Sequence, residues 1–253
     1  MGGGIRTGGI DLGSRTTKLV VVDDGKVVDF RIVDTGTEPL LRAQELLQGR
    51  RFDRLVATGY GRHLLRERLG TPVITEIRAH ALGAQHLFPD CRTVIDIGGQ
   101  DSKVIRLENG RQVNFEMNDR CAAGTGRFLE VMATTLGYTL GEFGLAALRA
   151  DRAAVINSMC TVFSESEVVS LIAKGVDKDS IALGLHESIV NRLLALAGRV
   201  GIEKPVVLCG GVARNPCIKT LLEQRLKTKL LVPAEPQIVG ALGAALSLRE
   251  EIL

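Results

Sequence analysis

The chain has 253 residues, of which 45% are hydrophobic, and its formal net charge is +3. This length allows one large globular domain or two smaller ones, and a nearly balanced charge without a Lys/Arg cluster argues against nucleic acid as a partner. The apolar runs are short, so we expect no membrane-spanning helix or signal segment, a cytoplasmic location, and no disulfides among the five cysteines.

The first predicted elements belong to an internal repeat. IDLGSRTTKLVVVDDGKVVDF begins at Ile10, and IDIGGQDSKVIRLENGRQVNF begins at Ile95, with an offset of 85 residues and no gap. Seven of the 21 positions are identical. Each copy predicts a strand, a Gly turn, a second strand, a tight turn and a third strand, because Asp24-Gly25 and Asn109-Gly110 are typical hairpin dipeptides. The chain is therefore predicted to contain a duplicated β-hairpin unit.

Helices and short strands are predicted around these hairpins. Between the copies, we expect helices over Pro39–Leu47, His63–Leu69 and Thr75–Leu87, and strands over Arg54–Thr58 and Val73–Ile74. After the second copy, we expect an amphipathic helix through Phe128–Leu136, helices over Leu145–Ala150, Ser164–Lys174, Ser180–Val200, Pro216–Leu226 and Gly240–Arg249, and strands over Val206–Cys209 and Leu230–Val232. This order predicts two α/β lobes with a ligand cleft between them. The first lobe is predicted over residues 5–90 plus a C-terminal helix, 238–253, and the second over residues 91–237.

Two Gly turns follow strands that end in an aspartate. Gly13-Ser14 follows Asp11, and Gly98-Gly99 follows Asp96. The backbone N–H groups of such a turn can hold phosphate oxygens, and the carboxylates can hold Mg²⁺ through water. A single Gly turn after a strand is usually only a turn, but two related copies favour phosphate binding. A third turn, Cys209-Gly210-Gly211, also follows a strand, and no Walker A motif is present.

Two of the five cysteines each precede a predicted helix. Cys121 lies in NDRCAAGTGRFLEVMA, just before a Gly-rich turn, and Cys160 precedes the helix over Ser164–Lys174. The positive end of a helix stabilises a thiolate or an anionic cluster held by thiolates. A 4Fe–4S cluster usually needs four thiolates, which a two-fold symmetric dimer would supply from two cysteines per chain. The other cysteines, Cys91, Cys209 and Cys217, are expected to be small buried residues.

These motifs together resemble a known family. IDLGSRTTK, DIGGQDSK and CGGVARN resemble the phosphate-1, phosphate-2 and adenosine motifs of the actin/Hsp70/sugar-kinase ATPase superfamily. With NDRCAAGTGRFLEVMA and CTVFSESEVVSL, essentially the whole chain resembles the ATP-dependent activators of 2-hydroxyacyl-CoA dehydratases and the related ATPase subunits of benzoyl-CoA reductase. The resemblance implies an α/β, actin-like ATPase fold of two duplicated lobes with a nucleotide cleft between them.

The resemblance also implies a mechanism and partners. A homodimer would hold one bridging 4Fe–4S cluster, and binding and hydrolysis of ATP with Mg²⁺ would change the angle between the cluster-bearing helices. One low-potential electron would pass to a partner iron–sulfur enzyme, with ferredoxin or flavodoxin as the donor. Neither nucleic acid nor a membrane is an expected partner.

The predicted site residues are the positions that match the motifs. Cys121 and Cys160 are the predicted cluster ligands, and Asp11 and Asp96 the predicted Mg²⁺ ligands. The predicted catalytic residues are Asp11 together with Gln100 and Asp101, the last two as candidates for orienting the attacking water. The predicted nucleotide contacts are Gly13, Ser14, Arg15, Thr16, Thr17, Gly98, Gly99, Gln100, Gly124, Gly210, Gly211, Val212, Ala213 and Asn215.

Other polar residues receive simpler interpretations. Lys18 and Lys103, which match in the repeat, are expected to pair with acidic neighbours rather than to act in catalysis. Glu167 and Lys174 lie where superfamily members often contact adenine or ribose, but a solvated helix face is the stronger interpretation. The histidine spacing predicts no zinc site, and His80 is expected to pack within its helix.

Two other functions stay open at this stage. The first is a small-molecule kinase of the same superfamily, with Asp101 as the base for a sugar hydroxyl. The second is a non-enzymatic ATP switch of the actin type. If the chain is an activator, its client could be a 2-hydroxyacyl-CoA dehydratase, a benzoyl-CoA-type reductase or a related protein with other iron–sulfur clusters.

Overall fold

The computed structural model describes residues 5–119, 121–158 and 160–250, without the side chains of residues 249 and 250. Residues 251–253, the end of the predicted segment 238–253, lie outside the described residues, as does Arg120 of the cysteine motif. The first sheet and its helices comprise β1 (Arg6–Leu12), β2 (Thr16–Asp23), β3 (Lys26–Asp34), α1 (Pro39–Leu47), β4 (Arg54–Thr58) and α2 (Arg62–Leu69).

The rest of the chain forms a second sheet and most of the helices. Its elements are α3 (Glu76–Leu87), β5 (Thr93–Ile97), β6 (Ser102–Glu108), β7 (Arg111–Asn118), α4 (Gly126–Leu136), α5 (Leu140–Arg149), α6 (Thr161–Ala173), α7 (Lys178–Val200), β8 (Val206–Cys209), α8 (Pro216–Leu226), β9 (Leu230–Leu231) and α9 (Val239–Glu250). Short 3₁₀ turns cover Gly211–Arg214 and Pro236–Ile238. Within the described residues, no helix is long and apolar enough to cross a membrane.

The internal repeat predicted from the sequence is a repeat of the backbone. The strand order is β3-β2-β1-β4 in the first sheet and β7-β6-β5-β8-β9 in the second, with antiparallel hairpins and parallel β1/β4 and β5/β8 pairs. Asp11 lies opposite Lys18 across β1 and β2, and Asp96 lies opposite Lys103 across β5 and β6.

The details of the two hairpins also match. The register shifts between residues 21 and 22 in the first copy and between residues 106 and 107 in the second, at the same offset of 85. Both tight turns have two residues with positive φ, 45° and 77° at Asp24-Gly25 and 48° and 75° at Asn109-Gly110. A turn of this hand matches the right-handed twist of the strands, which explains these dipeptides.

Most predicted elements match the structure to within three residues at each end, but two differ more. Val73 forms only a single parallel bridge to Ala57, so the predicted strand over Val73–Ile74 is wrong as a strand. The predicted helix over Leu145–Ala150 begins five residues earlier, at Leu140. Thr139 and Glu142 form a capping box that fixes this start, and the T-x-x-E pattern that encodes it is visible in the sequence.

Helix α9 brings the end of the chain back to the first sheet. Ala241, Leu242 and Ala245 pack against Val20 and Val22 of β2. This contact is the one expected if segment 238–253 belongs to the first lobe. Helix α3 contacts α9 on one side and β5–β7 on the other, so the lobe boundary at residue 90 stays a prediction.

Glycines let α3 and α9 approach closely. A Cβ on Gly83 would lie 2.1 Å from the carbonyl oxygen of Val239, and one on Gly243 would lie 1.7 Å from that of Ala79. Since neither position can hold a side chain without moving backbone, the crossing depends on both glycines. It places α3 where its first turns reach the carboxyl end of β5.

Candidate nucleotide and cysteine site

The two predicted phosphate turns face each other. A Cβ on Gly99 would lie 2.4 Å from Cγ of Arg15, so the turn after β1 and the turn after β5 are in contact. The second turn is closed by the N–H of Gly98, which donates to the carbonyl oxygen of Asp101 at 2.9 Å. Gln100, at the tip of this turn, is exposed. The structure therefore brings phosphate-1 and phosphate-2 together, as a nucleotide cleft between duplicated units requires.

The first turn is held from below by threonine and lysine side chains. Lys18 Nζ lies 3.0 Å from Asp11 Oδ2. Thr35 Oγ1 donates to the carbonyl oxygen of Gly13 at 2.8 Å and lies 3.0 Å from Thr17 Oγ1. Thr17 is buried, so its hydroxyl faces the turn from inside, whereas Arg15 is exposed. Of the predicted hydroxyl donors, those of Ser14 and Thr16 remain half-buried.

The second turn rests on a buried ammonium group. Lys103 is 1% exposed, and its Nζ lies 2.6 Å from Asp101 Oδ2, 3.0 Å from Glu76 Oε2 and 3.4 Å from Asp96 Oδ2. Burial alone would lower the pKa of Lys103, but the three carboxylates raise it. Burial raises the pKa of Asp101 despite its contact with Lys103. Lys103 thus pairs with acidic neighbours, as expected, but these neighbours lie in β5, in the turn after β5 and in α3 rather than within one hairpin.

His80 and Cys209 complete the surroundings of Asp96. His80 Nε2 lies 3.3 Å from Asp96 Oδ1, and its Nδ1 lies 2.8 Å from the carbonyl oxygen of Glu76. Burial would lower the pKa of His80, but the charge and hydrogen bond of Asp96 raise it to about 9. Burial also raises the pKa of Cys209, whose thiol donates to Asp96 Oδ1 at 3.6 Å.

This trio resembles a metal-binding set but is better explained as a hydrogen-bonded ion network. One ligand atom each from His80, Asp96 and Cys209 lies within 4.8 Å of the others. His80, which is hydrogen-bonded to Asp96, and the ammonium of Lys103 already neutralise the Asp96 carboxylate. Burial would raise the pKa of Asp96, but these two groups hold it well below its usual range. Sequence reasoning predicted that His80 is a packed helix residue, but it missed this ion pair.

The second phosphate turn is hydrogen-bonded directly to the start of α4. The N–H of Gly126 donates to the carbonyl oxygen of Gly98 at 2.9 Å, and the N–H of Arg127 donates to that of Gly99 at 2.8 Å. The first four N–H groups of a helix have no partner within the helix, and two of them are satisfied here by the phosphate turn. The helix that follows Cys121 therefore begins directly on the predicted second phosphate turn.

The loop that carries Cys121 is shaped by Asn118 and Gly124. Asn118 Nδ2 donates to the carbonyl oxygens of Cys121 and Ala123, at 3.0 and 3.1 Å. Gly124 has a φ of +90°, which other residues rarely adopt. The predicted nucleotide contact of Gly124 stays a prediction, since the structure explains this glycine by the loop.

Cys160 begins α6 and is exposed, whereas Cys121 is half-buried. Glu167 holds the preceding loop, because its carboxylate accepts from the N–H groups of Asn157 and Ser158 at 2.9 and 2.8 Å. Burial would raise the pKa of Glu167, but its hydrogen bonds to Asn157 and Ser158 together outweigh burial and lower the pKa to about 2. Glu167 is thus more than a solvated residue, whereas Lys174 is exposed. Helices α4 and α6 are in contact, so the two cysteine helices are neighbours.

The three remaining cysteines are buried, as predicted. Burial raises the pKa of Cys91 to about 11 and that of Cys217 to about 12. Cys209 is discussed above. A buried protonated thiol is a poor metal ligand, because the thiolate is the form that binds. Of the five cysteines, Cys121 and Cys160 are the two that are not buried, and their role as cluster ligands stays a prediction.

The third Gly turn, Cys209-Gly210-Gly211, and the residues after it also approach the start of α4. A Cβ on Gly126 would lie 3.5 Å from Val212 Cγ2, and one on Gly210 would lie 2.3 Å from the carbonyl oxygen of Ile97. Gly210 has a φ of +84°, so glycine is required there on two grounds. Ala213 is buried beside Val212, and Gly211 is exposed.

The side chain of Asn215 is already engaged. Its Oδ1 accepts from the N–H groups of Cys217 and Ile218, at 3.0 and 3.1 Å, and so caps α8. Its Nδ2 lies 3.0 Å from Nε2 of His186, whose Nδ1 lies 2.7 Å from the carbonyl oxygen of Ala182. This arrangement fits a neutral His186, and burial lowers its pKa to about 4. Any contact of Asn215 with a nucleotide stays a prediction.

Three comparisons with known proteins agree with this geometry. The model of the BadF/BadG/BcrA/BcrD ATPase family matches residues 9–247. An (R)-2-hydroxyglutaryl-CoA dehydratase activating ATPase from Acidaminococcus fermentans is 44% identical over 251 residues, 96% of each chain. An activator of lactoyl-CoA dehydratase from Anaerotignum propionicum is 46% identical over 248 residues, 94% of this chain and 95% of the relative.

A solved structure shares the whole architecture. The activator of the 2-hydroxyisocaproyl-CoA dehydratase from Clostridium difficile, with bound ADPNP, superposes with a TM-score of 0.87 at 39% identity. The match covers 98% of this chain and 95% of that one. The fold predicted from the motifs is confirmed as that of the actin-like ATPases and sugar kinases.

Proposed function

The chain belongs to the BadF/BadG/BcrA/BcrD ATPase family and is an ATPase that drives the activation of another enzyme, its client, and we propose that this client is an iron–sulfur enzyme such as a 2-hydroxyacyl-CoA dehydratase. In this proposal, two copies of the chain hold one 4Fe–4S cluster through Cys121 and Cys160. The cluster would supply one low-potential electron for the client, and ferredoxin or flavodoxin would replace it. Binding and hydrolysis of Mg-ATP would set the angle between the helices that carry these cysteines.

The donor chemistry of the chain fits such a cluster. Cys160 is the exposed N-cap residue of α6, the half-buried Cys121 lies in the loop before α4, and these two helices contact each other. Four thiolates are needed, so a second copy related by two-fold symmetry completes the set. Val162, Phe163 and Val169 of α6 are 55–68% exposed, which supports an interface on the helix that follows Cys160.

The observation that carries the proposal is the pair of hydrogen bonds between the second phosphate turn and α4. The N–H of Gly99 would hold a phosphate oxygen, while the carbonyl oxygens of Gly98 and Gly99 hold the N–H groups of Gly126 and Arg127. A nucleotide that shifts this turn must therefore shift the start of the helix that follows Cys121. No side-chain relay is needed, because both contacts are backbone bonds.

Hydrolysis would depend on positioning and electrostatics. Gln100 is exposed at the tip of the second turn and is the better placed candidate for orienting water. Asp101 is held by Lys103 beneath the turn, which suits a supporting role. Asp96 is neutralised by His80 and Lys103, whereas Asp11 pairs, among the residues that the structure describes, with Lys18 alone. Asp11 is therefore the stronger candidate for holding Mg²⁺ through water.

Anaerobic purification and substitution of the cysteines test this function. We expect a brown homodimer with about four irons, and we expect Cys121→Ala and Cys160→Ala to lose the iron while still hydrolysing ATP. Cys91→Ala is the matched control, because Cys91 is buried away from the helix starts, and it should keep its iron. A colourless monomer, or iron that survives both substitutions, would contradict the proposal.

The identity of the client needs a separate measurement. The purified, reduced protein with ATP should activate a 2-hydroxyacyl-CoA dehydratase and should not do so with ADP. Activation of a benzoyl-CoA-type reductase or of another iron–sulfur protein instead would keep the electron-transfer function and change the client. Phosphorylation of an amino sugar would favour the kinase alternative.

A further inference from the structure

One ion pair joins the first phosphate turn to the helix that follows Cys121. Arg15 Nη2 lies 2.9 Å from both Oε1 and Oε2 of Glu130, although the residues are 115 positions apart. Arg15 is on the turn between β1 and β2, and Glu130 is in the second turn of α4. The pair thus spans the seam between the duplicated units at the point where the predicted phosphate sites meet.

A backbone hydrogen bond fixes Arg15 at the predicted phosphate site, whereas the guanidinium of Arg15 is exposed enough to exchange one anionic partner for another. The carbonyl oxygen of Arg15 accepts from the N–H of Thr35 at 2.9 Å, which fixes the turn. Its side-chain carbons lie over Gly99, where a Cβ would be 2.4 Å from Cγ, so its path to Glu130 crosses the second phosphate turn. The side chains of Arg15 and Glu130 are 47% and 27% exposed, so solvent or a ligand can reach the pair.

A phosphate and a carboxylate are competing ligands for a guanidinium. Both accept the parallel N–H groups of arginine, and a phosphate carries more charge. A terminal phosphate seated between the two turns would lie beside Arg15. Glu130 can lose Arg15 without losing every cation, because Arg127 Nη1 lies 3.2 Å from its Oε2. The exchange therefore leaves no isolated charge.

We propose that Arg15 discriminates ATP from ADP by exchanging Glu130 for the terminal phosphate, and that this exchange releases α4 from the first phosphate turn. The inference rests on the proposed function for its effect on the cysteine helix. Its effect on nucleotide affinity rests only on the ATPase activity. The two can therefore fail separately.

A double-substitution cycle tests the exchange. The affinities of the anaerobically purified protein for ADPNP and ADP are measured by calorimetry, and their ratio is compared among variants. Glu130→Gln removes the competitor, so the preference for ADPNP should rise roughly two- to fivefold, as expected for a partly exposed ion pair. Arg15→Gln should lower that preference by at least about fivefold, since a charge-assisted contact is lost.

The combined variant separates competition from a general effect of charge. If Glu130 acts through Arg15, adding Glu130→Gln to Arg15→Gln should change nothing further. An equal increase in both backgrounds would mean that Glu130 only repels anions, and it would overturn the exchange. An unchanged preference in Arg15→Gln would overturn it as well.

A matched control comes from another partly exposed ion pair between distant elements. Arg199 Nε lies 3.3 Å from Glu116 Oε2, with side chains 55% and 38% exposed. Arg199→Gln should leave the preference for ADPNP unchanged. In iron-loaded protein, ATP should alter the rate of iron loss to a chelator less in Arg15→Gln than in wild type, because only the backbone contacts between the second turn and α4 remain. An undiminished effect of ATP in Arg15→Gln would overturn the release of α4, whereas absence of iron would instead contradict the proposed function.

Discussion

Replacing Lys103 with methionine is expected to destabilise the protein far more than the same change at its repeat partner, Lys18. Methionine keeps most of the apolar stem and removes only the ammonium. At Lys103 the ammonium contacts Asp96, Asp101 and Glu76, and the residue is 1% exposed. At Lys18 the ammonium pairs with a single carboxylate of the described part of the chain, that of Asp11, and the side chain is 14% exposed. The two positions share the same strand register, so backbone context is matched.

The magnitudes follow from the number of charges left behind. Removing one partner from a buried ion network costs roughly 3–5 kcal/mol, because the remaining charges are uncompensated. Losing one hydrogen bond to a charged group costs about 1.5–3 kcal/mol. The Lys103→Met variant should therefore lose about 2 kcal/mol more free energy of unfolding than Lys18→Met. For a chain of this size that difference corresponds to about 4–8 °C in melting temperature.

Urea unfolding followed by far-ultraviolet circular dichroism measures both variants under the same conditions. Equal m-values in the two variants would show that the difference is one of stability. A loss in Lys103→Met that is no larger than in Lys18→Met would refute the reasoning. In that case the carboxylates would be taking up protons or water, and the ammonium would not be what holds the second phosphate turn.

Three further outcomes are expected. Gly243→Ala should lower the free energy of unfolding by about 1–3 kcal/mol, because its Cβ would lie 1.7 Å from the carbonyl oxygen of Ala79. Gly198→Ala, whose Cβ would have no atom within 4 Å, should instead raise it by about 0.5–1 kcal/mol, and thermal melts measure both variants. Burial lowers the pKa of His186 from 6.5 in the unfolded chain to about 4 in the fold, so the unfolded chain binds the extra proton as the pH falls. Between pH 6.5 and pH 4, wild type should therefore lose up to about 3 kcal/mol more free energy of unfolding than His186→Gln. Parallel plots of stability against pH for the two proteins would contradict this. Glu167→Gln should speed iron loss to a chelator, because a neutral amide accepts the loop N–H groups more weakly, whereas Glu165→Gln on the exposed face of α6 should not.

The repeat and its hairpins could be predicted from the sequence because they are local. An Asp-Gly or Asn-Gly dipeptide at each turn, an aspartate near the end of the first strand of each copy and a fixed offset are all features of contiguous sequence. The order of strands and helices also predicted a cleft between two duplicated lobes, and in the structure the two Gly turns are in contact. By contrast, Val73–Ile74 has strand-like residues but only one bridge, since a two-residue segment does not determine its own pairing.

The residues that sequence reasoning missed are joined through long-range contacts. Glu76 and His80 lie on α3, and nothing in their own helix indicates that they reach Lys103 and Asp96. The i, i+4 spacing of Glu76 and His80 does place them on one helix face, which is a signal that could have been used. Glu130 reads as an ordinary polar position in an amphipathic helix, and only the assembled seam brings it to Arg15.

The duplication itself indicates which charges serve the scaffold and which are additions. Both copies keep an aspartate opposite a lysine, so that pair belongs to the ancestral hairpin unit. The second copy adds Asp101 where the first has Thr16, and α3 adds Glu76 and His80. The extra charges surround only the turn whose carbonyl oxygens hold α4. If the two turns merely bound phosphate, they would need equal support. The unequal support therefore favours the proposal that the second turn transmits the state of the nucleotide through its backbone contacts with α4, while the first turn contributes the Arg15–Glu130 ion pair.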